Sequence, residues 1–174
     1  MNEKQLDKIL TLVGRGDNNA FSLLYTATSK GVYAFLYTYY GNRHDTEDAL
    51  QSVFLKIKLN ACKYKPKTNA KAWILQVAKN YAFNDLTRKK RETSMDNETL
   101  SVIAGEDKGY DGSVFEAINK CLNEGEKQVV ILHVLWGYKH REISAILNMP
   151  TGTVTSKYKT SIKKLKEFLE GGKV

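Results

Sequence analysis

The fold of this chain is decided by residues 138–165, YKHREISAILNMPTGTVTSKYKTSIKKL. Apolar residues first recur at helical spacing, then the pattern stops around Asn148 and resumes at Val154. Asn is favoured where a helix reverses through a left-handed residue, and Pro150 cannot continue the helix that it follows. Either of two threonines that follow Pro150, Thr151 or Thr153, can cap a second helix. The stretch therefore predicts two short helices joined by a tight turn.

The second of these helices has a polar face that suits DNA. We take its buried stripe to be Val154, Tyr158, Ser161 and Leu165. The residues that then turn outward on another face are Thr155, Ser156, Lys159, Thr160 and Lys163. Hydroxyl and ammonium groups of this kind reach base edges and phosphates in a major groove that admits one helix. The same residues also fit a helical hairpin whose lysines are simply solvated, and the pattern alone leaves both interpretations open.

The charge of the chain favours a polyanionic partner and is unevenly distributed. The 174 residues include 27 Lys and Arg against 19 Asp and Glu, a net charge of +8. Residues 1–91 carry 16 basic and 7 acidic side chains, residues 92–113 carry 1 and 6, and residues 114–174 carry 10 and 6. The acidic strip lacks sustained periodicity and contains three glycines. It is therefore predicted to be a flexible linker between two basic blocks.

Membrane, metal and disulfide proteins are disfavoured. No run approaches the roughly 20 apolar residues of a membrane helix, and the N-terminus lacks the apolar core of a signal peptide. We therefore expect a cytoplasmic protein without membrane insertion. Cys62 and Cys121 lie far apart and share no ligand spacing with His44, His133 or His140. No metal, cofactor or small-molecule substrate is expected.

The N-terminal block is predicted to contain four helices, with no strand-like alternation. A short helix comes first, and Asp17 or Asn18 can cap a long, aromatic-rich second one. Asp45 is placed to cap a third helix whose first turn is acidic, as the helix dipole favours. A fourth helix is predicted from Ala70 to about Arg91.

The C-terminal block is predicted to be a small bundle of about four helices. One helix restarts at residues 114–121, and Asn123 with Glu126 can form a capping box for the next. The fold class is therefore all-α, with two small helical domains, residues 1–91 and 114–174, joined by the acidic linker 92–113.

The third helix presents a candidate docking surface. Its face opposite the core is Asp48, Gln51, Ser52, Leu55 and Lys58. An exposed Leu amid polar neighbours is typical of a protein contact, although single surface leucines are also common.

A basic loop precedes the fourth helix. Residues 63–71, KYKPKTNAK, place four lysines around Tyr64, and Pro66 prevents a helix. Phosphate contacts from the lysines and base stacking on the aromatic ring suit single-stranded nucleic acid, whereas a solvated basic loop is the simpler alternative. The outer face of the fourth helix extends the same surface through Lys79, Asn80, Asn84 and Arg88.

Two segments resemble one protein family. Residues 20–57, AFSLLYTATSKGVYAFLYTYYGNRHDTEDALQSVFLKI, followed by WILQVAKNYAFNDLTRKKR at 73–91, resemble region 2 of the extracytoplasmic-function sigma factors, a bacterial group of the sigma-70 family. Residues 124–165, with EI-x-x-IL and GTV-x-S, resemble region 4 of the same group. The helix-turn-helix alone occurs in other regulators, but the ordered pair is specific.

The resemblance implies a promoter-specificity subunit that binds core RNA polymerase and directs promoter recognition, DNA melting and initiation without chemistry of its own. Docking on the largest polymerase subunit is implied for Asp48, Gln51, Ser52, Phe54, Leu55 and Lys58, although Phe54 also belongs to the core stripe of its helix. Contacts to the minus-10 element are implied for Lys63, Lys65, Thr68, Asn69, Lys71, Lys79, Asn80, Asn84 and Arg88. Contacts to the minus-35 element are implied for Thr153, Thr155, Ser156, Lys157, Lys159, Thr160 and Lys163. An anti-sigma factor is a further partner suggested by the family alone.

The sequence departs from the family pattern at several positions. Ala70 stands where Phe is usual, which puts the wall of a base pocket in doubt, and Ser144 replaces a usual Ala. Lys139 stands where a Ser or Thr cap is common, and Ile162 replaces a frequent Arg. Because position 155 is Thr and not Arg, bidentate guanine recognition there is excluded and the target sequence should differ.

Two other functions compete with this one. A DNA-binding regulator could use the helix-turn-helix alone, and it would footprint duplex DNA unaided, whereas a sigma factor would need core polymerase. A nucleic-acid enzyme is disfavoured, because no HExxH, paired-carboxylate or Ser/His/Asp arrangement converges. The acidic residues Asp45, Glu47 and Asp48 are explained by a helix N-terminus.

Overall fold

A computed structural model describes residues 2–95 and 112–171, with side chains described for residues 2–92 and 117–170. All regular elements in these ranges are helices, which confirms the all-α prediction. They divide into two compact units, one built mainly from the first four helices and the other mainly from the last four.

The first four helices are α1 (Glu3–Val13), α2 (Asn18–Tyr40), α3 (Arg43–Asn60) and α4 (Ala70–Met95), with a 3₁₀ turn (Ala61–Lys63) between α3 and α4. The last four are α5 (Gly112–Cys121), α6 (Glu124–Val134), α7 (His140–Leu147) and α8 (Thr151–Gly171). The fourth helix thus continues past Arg91 into the predicted linker, whose central residues 96–111 lie outside the described ranges.

Local hydrogen bonds explain where the first helices begin. The backbone N–H of Gln5 donates to Asn2 Oδ1 at 2.9 Å, and that of Asn2 donates to Gln5 Oε1 at 3.0 Å, a reciprocal capping box. Asp17 Oδ1 accepts from the backbone of Asn19 and Ala20 at 2.8 and 3.0 Å. The prediction that Asp17 or its neighbour caps α2 is therefore confirmed for Asp17.

The third helix begins earlier than predicted. It starts at Arg43, so Asp45 lies inside the first turn and is not the cap. The Asp45 carboxylate instead accepts from Lys89 Nζ at 2.8 Å and thereby ties α3 to α4. Its position in the first turn remains favourable for the helix dipole. The sequence pattern placed the acidic residue in the first turn of the helix, but the helix starts three residues earlier than a cap at Asp45 would require.

The core of the first unit is apolar and excluded from solvent. Its largest fully buried side chains are Leu10, Leu24, Val32, Phe35, Leu36, Val53, Ile57, Ile74 and Leu75. Gly14 lets α1 approach the 3₁₀ turn, since a Cβ there would lie 2.6 Å from the carbonyl oxygen of Ala61. No other residue fits this contact without a shift of backbone.

The second unit is arranged around α8, against which α5, α6 and α7 all pack. One apolar cluster joins Ala117, Ile118, Leu122, Val130 and Leu165. The predicted capping box of α6 is confirmed, with Glu126 N donating to Asn123 Oδ1 and Asn123 N donating to Glu126 Oε2, both at 3.0 Å. Lys164 Nζ bonds both oxygens of the buried Glu126 at 2.9 Å, which fixes α8 against α6.

Candidate nucleic-acid and protein interfaces

The turn between α7 and α8 has the predicted geometry. Asn148 ends α7 in the left-handed region with φ 53° and ψ 48°. Ser144 Oγ donates to the carbonyl oxygen of Met149 at 2.5 Å, so the Ser that departs from the family pattern braces the turn. The prediction that a threonine caps α8 is wrong. The helix already begins at Thr151, and its first helical hydrogen bond runs from Val154 N to Pro150 O at 3.1 Å.

The buried stripe of α8 lies as predicted. Val154 and Ser161 are fully buried, and Leu165 is buried against the apolar cluster. The Ser161 hydroxyl donates to the Lys157 carbonyl at 2.7 Å, which satisfies the polar group inside the core. Tyr158 is half-buried, and its ring lies 4.6 Å from that of His133. This stripe fixes the rotation of α8 and therefore decides which residues face solvent.

Most of the predicted minus-35 residues are exposed on α8, namely Thr153, Ser156, Lys159, Thr160 and Lys163. Thr155 is half-buried, donates its hydroxyl to Thr151 O at 3.0 Å and lies 3.1 Å from His140 Nδ1. Lys157 is half-buried too. Its Nζ lies close to Gly125, since a Cβ added to that glycine would be only 3.3 Å from it. Thr155 and Lys157 therefore contact their own unit, whereas the other five point into solvent.

The loop before α4 is held by α1, which the sequence did not indicate. Tyr64 is 6% exposed, and its hydroxyl donates to Asp7 Oδ1 at 2.6 Å. The same oxygen accepts the backbone N–H of Lys67, a residue with φ 65°, at 2.8 Å. The prediction that Tyr64 offers a stacking surface is therefore wrong: the ring packs inward, with its centroid 5.7 Å from that of Trp73.

The other loop residues keep their polar groups near solvent. Lys63, Lys65, Thr68 and Asn69 are exposed, and Lys71 is half-buried. Thr68 Oγ1 donates to Lys65 O at 2.7 Å, and Asn69 Oδ1 accepts from Ala72 N at 2.8 Å, so Asn69 caps α4. Ala70 is fully buried and forms no wall of a surface pocket.

The outer face of α4 is polar at the predicted positions. Asn80, Asn84 and Arg88 are exposed, and Lys79 is half-buried. Arg88 forms ion pairs with two carboxylates: its Nη2 lies 2.9 Å from Asp85 Oδ1, and its Nε lies 3.8 Å from Glu92 Oε1.

An aromatic residue on this face escaped prediction. Phe83 is 68% exposed, three residues after Asn80. Its spacing from Asn80 and Asn84 is a signal that the sequence contained, because side chains three or four residues apart share a helix face.

The candidate docking face of α3 is partly corrected. Asp48, Gln51, Leu55 and Lys58 are exposed and Ser52 is half-buried. Phe54, by contrast, is 3% exposed and packs against the rings of Phe21 and Tyr25, with centroids 6.3 and 4.7 Å away. Its core assignment is confirmed, and we remove it from the docking face. Leu59, which is 66% exposed, follows Leu55 by one helical turn and was missed.

Neither a metal-binding cluster nor a membrane-spanning helix occurs among the described residues. Residues 2–95 and 112–171 contain no group of three or more His, Cys, Asp or Glu arranged to hold a metal ion. None of the helices described in these ranges is long and apolar enough to cross a membrane.

Two family models match the chain in consecutive segments. The one described as Sigma-70 region 2 matches residues 24–92, which include α3, the basic loop and the exposed face of α4. The one described as Sigma-70, region 4 matches residues 116–165, which include the helix-turn-helix. The chain belongs to the sigma-70 family. The order of the two matches agrees with the order in which the sequence resemblance placed these regions.

Curated relatives place this sigma factor in the extracytoplasmic-function (ECF) group. The ECF RNA polymerase sigma factor SigW of Bacillus subtilis (strain 168) is 24% identical over an alignment covering 96% of each chain. The ECF RNA polymerase sigma-E factor of Escherichia coli (strain K12) is 28% identical, covering 90% of this chain and 91% of the relative. Family membership implies RNA polymerase binding and promoter-directed transcription initiation. This sigma factor is thus a regulatory initiation factor and not a classical enzyme.

Solved structures share the fold. The sigma factor RpoE of Bartonella quintana, crystallised in complex with the anti-sigma factor NepR, superposes with a TM-score of 0.66 at 19% identity, covering 86% of this chain and 96% of that one. CnrH, solved in complex with the cytosolic domain of CnrY, gives 0.61 at 21% identity, covering 95% and 98%.

Proposed function

We propose that this sigma factor docks on core RNA polymerase through α3, captures the opened minus-10 strand with the basic loop and α4, and contacts minus-35 duplex DNA with α8. The three surfaces are separate in sequence and differ in chemistry. Each surface is supported by the side chains that it exposes.

The minus-10 surface is supported by its charge. Residues 49–84, which comprise the last two thirds of α3, the loop and the first part of α4, contain seven lysines and no Asp or Glu. The exposed lysines of the loop attract phosphates, and the affinity of this surface for DNA should fall steeply with salt. The exposed amides of Asn80 and Asn84 add groups that can hydrogen-bond base edges. This carboxylate-free segment is the observation that carries the proposal of strand capture and melting.

The minus-35 surface is supported by the exposed side of α8. From Thr151 to Lys166 the helix has no carboxylate, and Ser156, Lys159 and Lys163 face solvent on it. Lys163 lies 3.8 Å from Glu167, an exposed pair that contributes little and that phosphate can displace. Lys159→Ala should change sequence preference, whereas Lys163→Ala should weaken all promoters about equally.

The polymerase surface is supported by an exposed apolar pair with polar neighbours. Leu55 and Leu59 are 58% and 66% exposed and lie one turn apart on α3. Gln51 and Asp48 lie one and two turns before Leu55, and Lys58 Nζ lies 5.1 Å from the centroid of the Phe21 ring. A small apolar centre with charged residues around it is the usual composition of a protein interface.

An anti-sigma factor is a further proposed partner. The RpoE structure that shares this fold was crystallised with the anti-sigma factor NepR. Since the proposed polymerase face is exposed in this chain, a protein that covered Leu55 and Leu59 would block initiation by competition.

We also propose a cytoplasmic location, because a bacterial sigma factor acts where core polymerase binds the chromosome.

Run-off transcription with purified core polymerase and a randomised promoter library tests the proposal. This sigma factor should select a promoter class only when core enzyme is present, and permanganate should detect unpaired thymines at the minus-10 region. A footprint on duplex DNA by the chain alone, with no polymerase-dependent transcript, would show a simple DNA-binding regulator and refute the proposal.

A further inference from the structure

The hydroxyl of Thr155, in the second turn of α8, is bonded inside its own unit. It donates to the carbonyl oxygen of Thr151 at 3.0 Å, which uses the single hydrogen that a hydroxyl carries. The same oxygen lies 3.1 Å from His140 Nδ1. Because the hydroxyl hydrogen is committed to Thr151, the ring nitrogen must be the donor in this second contact. Thr155 therefore has no hydrogen left to donate to a base.

The ring of His140 is held by aromatic neighbours on two other helices. Its centroid lies 5.0 Å from that of His133 on α6 and 5.1 Å from that of Tyr158 on α8. His133 is fixed in turn, because its Nδ1 lies 2.7 Å from the carbonyl oxygen of Tyr138, a group that only accepts. Three packed rings thus keep the His140 N–H on the Thr155 hydroxyl, and the rotation of the Thr155 side chain is set from both sides.

The approach to Thr155 from solvent is open along the helix. Gly152 and Lys159 lie about one turn before and after it, and both are exposed. Gly152 has no side chain, and a Cβ added there would meet nothing within 4 Å. Thr155 itself is half-buried. Since its hydroxyl is held between two partners, the group that it can present to a ligand is its methyl.

This methyl lies among side chains of different chemistry. The exposed predicted minus-35 residues offer hydroxyl or ammonium groups, namely Thr153, Ser156, Lys159, Thr160 and Lys163. Ser156, the next residue, has no methyl and can contribute only a hydroxyl, which suits more than one base. Thr155 therefore adds a small apolar contact to a surface that otherwise forms hydrogen bonds and ion pairs.

A small apolar contact on a recognition helix selects one base of the four. Residues near the start of such a helix contact base edges in the major groove. Thymine alone carries a methyl group there, and the methyl of a threonine is among its usual partners. Guanine O6 and N7 need a donor, which the Thr155 hydroxyl no longer has. A cytosine amino group could still bond to the remaining lone pair of the oxygen, so the experiment must separate the methyl from the hydroxyl.

We propose that Thr155 recognises a thymine of the minus-35 element by contact between the two methyl groups. This inference rests on the proposed function and adds to it a base preference and the residue that produces it. His140 and Thr151 hold the hydroxyl of Thr155 inward, so that the side chain reads the base through its apolar part.

The test uses holoenzyme formed with core polymerase and duplex DNA of a promoter selected from the randomised library. Each thymine of the minus-35 element is replaced in turn by deoxyuridine, which removes only the methyl group. One replacement should weaken wild-type binding about fourfold, the loss expected for one buried methyl. Thr155→Ser should bind the thymine and uracil duplexes of that position equally well. Thr155→Val keeps an apolar branch and should retain the difference.

Thr11→Ser is the matched control on α1. The Thr11 side chain is half-buried, and its hydroxyl donates to the carbonyl oxygen of Asp7 at 2.8 Å, the same four-residue bond that Thr155 makes. This variant loses an equivalent methyl group and should keep the wild-type ratio of thymine to uracil affinity. Thermal melting of each free chain checks that the variants are folded. If Thr155→Val does not fold, the comparison of wild type with Thr155→Ser decides alone.

Three results would overturn the methyl contact. They are a minus-35 element in which no thymine is sensitive to uracil, an unchanged uracil penalty in Thr155→Ser, and a penalty that Thr155→Val loses while Thr155→Ser keeps it. The last would assign recognition to the hydroxyl. In each case, polymerase-dependent initiation by the wild type would leave the proposed function standing. Absence of any polymerase-dependent transcript from the wild type would reject both.

Discussion

The hydroxyl of Tyr64 donates a hydrogen bond of 2.6 Å to Asp7, a residue 57 positions earlier in the chain. The same Asp7 oxygen accepts the backbone N–H of Lys67 at 2.8 Å, and Glu3 Oε1 lies 3.4 Å from the backbone nitrogen of Lys71. Helix α1 therefore shapes the basic loop through two carboxylates. Both carboxylates accept hydrogen bonds from the loop backbone, and Asp7 also accepts from the buried Tyr64. These contacts explain why two acidic residues lie beside an otherwise cationic loop.

Asp7→Ala should loosen the loop more than it destabilises the whole chain. The substitution leaves the Tyr64 hydroxyl and the Lys67 N–H without their acceptor, which costs about 1–3 kcal/mol in unfolding free energy. Hydrogen exchange at the Lys67 amide should accelerate, and binding to a single-stranded minus-10 probe should weaken. Tyr64→Phe is the matched control, because it keeps the buried ring. An unchanged exchange rate at Lys67 in Asp7→Ala would count against the brace.

The ionisation of Tyr64 should report on the same contact. Burial, together with the hydrogen bond and charge of Asp7, raises the pKa of Tyr64 from 10.0 to about 12. Because the folded pKa is raised, the stabilisation is present below pH 10 and is lost as the pH rises from 10 towards 12. With ¹³Cζ-labelled tyrosine, the Tyr64 resonance should titrate late, and Asp7→Asn should lower its pKa. A Tyr64 signal that titrates near pH 10 in the wild type would contradict the burial and bonding described above.

Acid should weaken the second unit through Glu126. Burial alone would raise the pKa of this carboxyl, but hydrogen bonds from Lys164 and from the Asn123 backbone, with the charge of Lys157, bring it below its ordinary value of 4.5. Because the folded pKa is depressed, the stabilisation is complete above about pH 4.5 and is lost as the pH falls through the folded pKa. Melting temperatures of wild type and Glu126→Gln should therefore differ at pH 7 and converge as the pH falls below the folded pKa of Glu126. If the difference in melting temperature stayed constant with pH, the stability lost in Glu126→Gln would come from packing alone.

Asn148 should tolerate only residues that accept a left-handed backbone. Its φ of 53° makes Asn148→Gly neutral or slightly stabilising, whereas Asn148→Ala should cost about 1–2 kcal/mol. Gly152→Ala is a useful comparison, because a Cβ there meets open space within a helix and should add about 0.5–1 kcal/mol. Urea unfolding of the three variants measures the differences. Equal stability of Asn148→Ala and wild type would contradict the turn geometry.

The parts of this structure that the sequence predicted are those set by short-range chemistry. The turn at Asn148, the capping box of Asn123 with Glu126 and the buried stripe of α8 each depend on residues a few positions apart. One error, at Tyr64, arose because a distant partner decides the outcome; the starts of α3 and α8 were misplaced locally, by three residues or fewer. Tyr64 looked available for stacking until Asp7 was found to hold its hydroxyl.

The missed surface residues have a related cause. Periodicity separates a buried stripe from an outer face, but it does not reveal how far a large apolar residue on the outer face protrudes. Phe83 and Leu59 lie on the outer faces of α4 and α3, and only the packed helices show that they are 68% and 66% exposed. Exposure of a large apolar group is informative for function, because folding gives no reason to leave it in water.

Docking on polymerase and opening of the promoter should be separable by substitution. Asp48→Arg combined with Gln51→Ala places a reversed charge on α3 and should lower affinity for core polymerase. Asn80→Ala combined with Asn84→Ala removes two exposed amides from α4 and should reduce minus-10 opening at saturating core enzyme. The asparagine pair is preferred to Arg88, whose removal would also strip Asp85 of an ion pair at 2.9 Å. Fluorescence anisotropy measures core binding and permanganate reactivity measures opening. If both double variants lowered polymerase affinity to the same extent and neither altered opening at saturation, α3 and α4 would form one polymerase contact, and the division of labour would be wrong.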